Sequence, residues 1–444
     1  MKANPPILYG LLMIVLFGLS IIITMGLGHS LIWPVSMVMV FSLLLLRGLK
    51  VPLKTSGRWV FDGVKSAWEV YLLIAMIGLN VSVWIASGIV PMLIYYGFDL
   101  IYRVNFLPMI FIVSGILAFF LGTGLGTLST IGIVFYTIGS SMGIHDGVLV
   151  GTLISGAYIA DRLSPMSALV NFTIKVVRTP FNEYFFRMIR LMAFPILITL
   201  GLSIFLGRLY QGEVTVDEVQ GFQNILKSEF TLSITLLIMP VGVLILSVIG
   251  MSTRKVLTLG ILAGIFFAFF IQQREGMLIL RDLIFGYRTQ SPHEFLQTLE
   301  IGGVLQMVEV IVVVAGGVAF SQIFDACGWI APLISRIRKK CTSRRTTILH
   351  SGIFSILLNA MTCDQTVGIL IPGKHLKAVA GEYLQDDSDF AAVIANTGTS
   401  IAPLMPWNVN AVIIFSITGV AAWQYAPFAV LNYLTIPFLF YRKS

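Results

Sequence analysis

Apolar runs long enough to cross a lipid bilayer recur along the whole of this 444-residue chain. A helix needs roughly 17–25 such residues to traverse the hydrocarbon core. "ILYGLLMIVLFGLSIIITMG" (7–26) meets that length, and comparable runs follow it from end to end. Only 11% of the residues are charged and 57% are hydrophobic, whereas a soluble domain carries about 25% charged residues. The expected fold is therefore an all-α polytopic membrane protein. The first run follows "MKANPP", lacks a small-residue cleavage site and is followed at once by another span, so it reads as a retained helix rather than a signal peptide.

Spans are expected near 7–26, 30–46, 67–87, 105–121, 127–144 and 147–160, then a broken element from 161 to about 172. After a basic loop come 188–207, 230–250, 256–272, 300–321 and 347–361, a second broken stretch, and spans near 409–422 and 425–441, about twelve crossings in all. The polar segments "QQREGMLILRDLIFGYRTQSPHEF" and "KHLKAVAGEYLQDDSDF" read as loops or surface helices. The net charge of +8 is gathered in "RGLKVPLKTSGR", "KVVRTPFNEYFFRMIR" and "RIRKKCTSRR". Lys and Arg collect in the cytoplasmic loops of membrane proteins, so these clusters imply both termini in the cytoplasm rather than a nucleic-acid partner. Cys327, Cys341 and Cys363 have no metal-ligand spacing, and their odd number argues against a disulfide framework.

The two halves resemble each other. "WEVYLLIAMIGLNVSVWIASGIVPMLI" aligns with "VEVIVVVAGGVAFSQIFDACGWIAPLI", at offsets of 309 − 69 = 240 and 332 − 91 = 241. The register continues at 403 − 165 = 238, where "DRLSPM" meets "TSIAPLM". Glu69 follows a basic loop and Glu309 a loop assigned to the opposite side, so the repeats run in opposite senses, as in many secondary transporters. The expected organisation is 1–58 as N-terminal transmembrane helices, 59–206 as the first repeat, 207–299 as linking helices and loops, and 300–444 as the second repeat. Discontinuous helices and re-entrant hairpins belong to this architecture.

Four interruptions stand out, two per half. "GTGLGTLSTIG" (122–132) pairs with "NAMTCDQTVGILIPG" (359–373), and "AYIADRLSPMSALVNF" pairs with "ANTGTSIAPLMPWNVN". An unpaired backbone group in hydrocarbon costs several kcal/mol, so such breaks persist only where protein or a wet cavity surrounds them. Unwound, they offer carbonyls, hydroxyls and helix ends to ions and anionic groups. Asp161 and Asp364 are the acids embedded in these breaks. A carboxylate near the bilayer centre costs about 2.5–3.5 kcal/mol, so it marks function. Burial favours the protonated carboxyl and a nearby cation the ionised one. Such a group holds either a proton or a sodium ion, which is the competition that antiport requires. Sodium, as a hard cation, takes oxygen ligands, which Thr123, Thr127, Ser164, Asn359, Thr399 and Asn408 supply.

Plainer readings exist for several of these residues. Asp161 adjoins Arg162, and the two fit a structural ion pair. Glu69 and Glu309 fit helix ends within reach of water, and His145-Asp146 a solvent-exposed turn. Zinc-type HExxH, a Cys/His cluster and a Gly-x-Ser-x-Gly elbow are all absent, so no enzyme and no resident cofactor is expected.

At these residues the chain resembles the NhaC family of sodium/proton antiporters, within the ion transporter superfamily, from about residue 60 onward. The segments are "WIASGIVPMLIYYG", "GTGLGT", "ISGAYIADRLSPMS" and "TGTSIAPLMPWN". Asp161, Ser164, Pro165, Gly398, Thr399, Pro406, Trp407 and Asn408 fall on the family's motif positions, and Asp364 on a family Asp often followed by Gln. The resemblance implies exchange of a small cation for protons by alternating access in the cytoplasmic membrane. It also admits a homodimer. The chain departs from the pattern at Ala168, Leu169 and Val170, where the family has Asp-Thr-Thr, and at Ala395 and Asn396, where it has an acidic pair. The resemblance thus also implies the alternative of a cation- or proton-coupled carrier of small organic anions or amino acids, with Arg162 and Asn396 facing a substrate carboxylate.

Overall fold

A computed structural model describes residues 7–441 apart from 28–29, 31, 102–104, 211–215, 249–250, 252, 290, 292, 298, 301 and 364. The described residues form helices and no strand. Those of eight residues or more begin with α1 (Ile7–Gly26), α2 (Ile32–Gly48), α3 (Leu53–Ser66), α4 (Trp68–Ala86), α5 (Ile89–Ile101) and α6 (Phe106–Leu121). Next come α7 (124–141, with a π turn at Leu128–Gly132), α8 (Asp146–Ala157), α9 (Ala168–Val177) and α10 (Phe181–Leu209). The middle of the chain gives α11 (Val216–Glu229), α12 (Ile238–Val248), α13 (Thr253–Phe270) and α14 (Gly276–Phe285). The second half gives α15 (Val304–Ala326), α16 (Ile330–Lys340), α17 (Arg344–Thr362), α18 (Gln365–His375), α19 (Asp387–Ile394), α20 (Val409–Thr418) and α21 (Val430–Phe438).

Among the described residues four helical stretches have the length and apolarity to cross a membrane: Trp68–Ala86, Phe181–Leu209, Val304–Ala326 and Asp387–Thr418. A fifth results if Gln220–Glu229 and Ile234–Val243, bent by 92°, count as one span. Ile32–Gly48 and Phe106–Phe120, which answer to further expected crossings, are shorter apolar helices, as is Ala168–Val177, which overlaps the expected broken element at 161–172. Large apolar side chains such as Met37, Phe194, Leu197, Phe205 and Phe266 lie exposed on the outside, while Asp161, Arg162, Asn359, Asn396, Asn408 and Asn432 are buried. That distribution inverts the pattern of a soluble domain, where charged residues are almost never fully buried. It is the distribution of an integral membrane protein.

The internal repeat is visible as a repeated series of chain breaks. Gly88 after α4 and Gly328 after α15 both adopt the left-handed conformation. α6 ends on left-handed Gly122 and α17 on left-handed Cys363, an offset of 363 − 122 = 241. α9 and α20 are both 10 residues long. They start from the N-caps Ser167 and Asn408 and end at left-handed Arg178 and Gly419, again 241 apart. The expected alignment of Pro165 with Pro403 is therefore displaced, and the partner of Asp161 is Ala402. Proline fits several places in a break, whereas a helix start must satisfy its unpaired N–H groups and so fixes the cap. Packing is reciprocal as well: α9 lies against α18, and α20 against α7.

The polar segment after α13 is built in more deeply than a surface helix. Asp282 of α14 is 1% exposed and pairs with Arg274 at 2.7 Å and Arg281 at 3.3 Å. Its carbonyl accepts a hydrogen bond from Ser82 of α4 at 2.5 Å.

Candidate functional site

The two breaks of the first half press against each other. At Gly122 (φ 73°) a Cβ would stand 2.7 Å from the Met166 carbonyl carbon, so both the turn and the contact require glycine. Thr123 then caps α7, its Oγ1 accepting from the Gly126 N–H at 3.3 Å. The Thr127 hydroxyl donates back to the Thr123 carbonyl at 2.8 Å. One orphan N–H of this helix start, that of Gly124, donates to Asp161 Oδ1 at 3.2 Å. A carboxylate at a helix N-terminus is favoured by the aligned peptide dipoles. Gly124 permits the approach, because a Cβ there would lie 3.2 Å from Asp161 Oδ2 and 3.1 Å from the Ala157 carbonyl.

Asp161 is 5% exposed and forms no ion pair among the described residues. Arg162 turns away from it. Its Nε donates to the Tyr158 carbonyl at 3.1 Å, and Nη1 reaches the Leu431 carbonyl at 3.4 Å and Thr435 Oγ1 at 3.3 Å. The Arg162 carbonyl in turn accepts from the Tyr184 hydroxyl at 2.8 Å. Sequence adjacency therefore does not make the structural ion pair. The guanidinium is an internal strut to the C-terminal helix, and the carboxylate is left without a direct ion-pair partner among the described residues.

A chain of amides approaches from the second half. Asn359 Nδ2 donates to the Gly398 carbonyl at 2.6 Å, and Asn408 Nδ2 donates to Asn359 Oδ1 at 2.9 Å. Asn408 Oδ1 accepts from both the backbone N–H (3.0 Å) and the side chain (2.8 Å) of Asn410. Asn410 Oδ1 accepts from the Tyr158 hydroxyl at 2.9 Å. The series runs from the π turn at Ala395–Thr399, through the cap of α20, to the residue three before Asp161. Every link is buried, where a satisfied polar network specifies one arrangement and an unsatisfied one is costly.

Between the halves lies a cavity of about 590 Å³, walled by Asp161, Thr123, Ser129, Ser167, Asn171, Gln365 and Asn410 together with apolar side chains of α4, α9 and α20. Asp161 is the only ionisable side chain among the described residues around it. Ala168, one of the departures from the resembled pattern, also lies in this wall.

Of the residues singled out in the sequence, Asp161 and Thr123 face the cavity, and Thr127 lies one turn beyond Thr123. Asn359 and Asn408 reach the cavity through Asn410. Thr399 is buried in the adjacent π turn, and its hydroxyl has no partner among the described residues. Ser164 is committed elsewhere, donating to the Phe119 carbonyl at 2.5 Å. Asn396 contacts Met188 Sδ at 3.3 Å and the Ala392 carbonyl at 2.9 Å, away from the cavity wall. Asp364 lies outside the described residues; its neighbour Gln365 lines the cavity. Glu69 is exposed and pairs with Arg254 at 3.1 Å, and His145 and Asp146 are exposed at the start of α8. Tyr158, Asn410, Ser129 and Gln365 were not singled out. All four stand inside the quoted segments; Tyr158 lies one turn before Asp161 and Asn410 two residues after Asn408, and that spacing was the available signal.

Comparison with known proteins places the site in context. The profile of the Na+/H+ antiporter family matches residues 174–442. The Na(+)/H(+) antiporter NhaC of Alkalihalophilus pseudofirmus is 28% identical over 382 residues, covering 86% of this chain and 82% of that protein. The malate-2H(+)/Na(+)-lactate antiporter of Bacillus subtilis is 27% identical over 379 residues, 85% of this chain and 81% of that one. The arginine/ornithine antiporter ArcD of Halobacterium salinarum is 25% identical over 384 residues, 85% and 79% respectively.

Proposed function

The chain belongs to the Na+/H+ antiporter family, and from that premise we propose that it is a secondary active transporter of the cell membrane exchanging sodium, or another small cation, for protons. The observation that carries the reading is Asp161: a buried carboxylate on a largely apolar cavity between the halves, held by one backbone N–H and, among the described residues, joined in no ion pair. Such a group loses its hydration without a direct ion-pair partner, which favours its taking up a proton or a cation. Thr123, Ser129, Gln365 and Asn410 set neutral oxygens around the same space, the ligand type that hard cations prefer. Asp364 is proposed as a second carboxylate. It is paired with Thr123 by the 241-residue offset and is adjacent to cavity-lining Gln365. Movement of the two packed halves would expose the cavity to one side at a time. The basic clusters support placing both termini in the cytoplasm.

A second reading has its own observation. A volume of about 590 Å³ falls among pockets that hold small organic molecules, roughly 300–1,000 Å³. Ala168, where the resembled pattern has Asp, removes a charge from its wall. A small organic anion or amino acid moved with the cation is the reading this favours. Proteoliposomes with imposed sodium and pH gradients separate the two. Sodium-driven proton flux is expected in the parent protein, with loss of at least a hundredfold in Asp161→Asn. Full flux in that variant would remove Asp161 from the mechanism, and flux appearing only with an added organic solute would favour the second reading.

A further inference from the structure

We propose a binding site for an anionic phospholipid in a second cavity, of about 1010 Å³, between α10 and the C-terminal end of α21. Its walls include Arg187, Arg190, Phe194, Gln385, Phe438 and Tyr441.

Depth in the membrane follows from helix geometry. α10 has 29 residues, so at 1.5 Å per residue it is roughly 43 Å long, more than the roughly 30 Å hydrocarbon core. Its uncharged run "LMAFPILITLGLSIFLG", bounded by Arg190 and Arg208, measures roughly 25 Å. Arg190 thus stands at the edge of the core, at the level of lipid headgroups, with Arg187 one turn further out.

Charge around the cavity favours an anion. Arg187 and Arg344 (3.9 Å) share the single carboxylate of Asp389, and Arg190 forms no ion pair among the described residues. The buried Nε of Arg187 also lacks a partner among the described residues. Of the acids beside Gln385, Asp387 pairs with Lys377 at 2.8 Å, and Asp386 is turned to the cap of α19, accepting from the Asp389 N–H at 2.8 Å. Guanidiniums match phosphate geometry with paired donors.

One turn toward the core the chemistry becomes apolar. Phe194 is 58% exposed, its ring 5.5 Å from that of Phe438, and Leu197 is 64% exposed beyond it. Basic residues followed by exposed apolar side chains on one helix face fit a phosphate carrying an acyl chain, whereas a soluble phosphate has no use for the second part. Basic pockets between transmembrane helices are known lipid headgroup sites.

Thermal unfolding of the detergent-purified full chain tests this, titrated in parallel with phosphatidylglycerol, phosphatidylcholine of the same acyl chains, and free glycerol phosphate. Phosphatidylglycerol alone is expected to raise the midpoint. Arg190→Gln is expected to weaken that response roughly fivefold, the effect of one basic residue at a membrane surface. Arg190→Lys should recover part of it, and Phe194→Ala should weaken it too. An equal shift with phosphatidylcholine, or the full shift with glycerol phosphate, overturns the proposal. So does an unchanged phosphatidylglycerol titration in Arg190→Gln, or an equal loss in Arg58→Gln, a change at an exposed arginine elsewhere on the surface.

Discussion

At the scale of single residues, what distinguishes Asp161 is the company it keeps. Its carboxylate meets one amide hydrogen, while the arginine beside it in sequence bonds the Tyr158 carbonyl and α21. Tyr158 belongs to this arrangement through its hydroxyl. It fixes Asn410, which faces the same cavity. Tyr158→Phe keeps the ring and removes the donor. One buried hydrogen bond contributes about 0.5–1.5 kcal/mol net, so the apparent KM for the cation is expected to rise roughly two- to tenfold, with protein yield unchanged. A KM equal to the parent's in a vesicle flux assay would make Asn410 self-supporting. Asp161 was legible in the sequence because an acid in an apolar stretch is conspicuous. Arg162's direction was not, since it depends on Leu431 and Thr435, which arrive some 270 positions later in the chain. Tyr158 passed unnoticed because a tyrosine in a membrane helix reads first as an interface anchor.

At the scale of elements, the breaks carry the architecture. Gly122 and Cys363 occupy equivalent left-handed turns, so a side chain is compatible with the conformation. What differs is the neighbour: the Met166 backbone leaves no room at Gly122. Gly122→Ala therefore faces both the left-handed penalty of roughly 1–2 kcal/mol and a forced parting of the two breaks. A fall in the thermal midpoint together with reduced flux is the expected outcome, and parent-like values of both would show that the breaks do not depend on each other. The existence and pairing of the breaks were legible in composition, because Gly, Pro, Ser, Thr and Asn interrupt otherwise apolar runs. The register within them was not. Pro165 and Pro403 suggested 238, whereas capping hydrogen bonds, which only the folded chain displays, set 241.

At the scale of the whole molecule, the two halves meet in the cavity and interlock through α9 on α18 and α20 on α7. A ligand shifts such a two-state assembly only by binding one state better than the other. Asn171 lines the cavity, and the native cysteines are buried. The labelling rate of Asn171→Cys by a water-soluble thiol reagent is expected to change several-fold between sodium at alkaline pH and sodium-free acid. Identical rates under both conditions would argue against a cavity that opens alternately.

The series Asn359, Asn408 and Asn410 is made entirely of carboxamides, which neither gain nor lose protons between acid and alkali. On the proposed reading, the scaffolding around the cargo is therefore deaf to acidity. As the medium swings from acidic to basic, such a frame is expected to hold its shape, with any response confined to the carboxylate proposed to take the cargo.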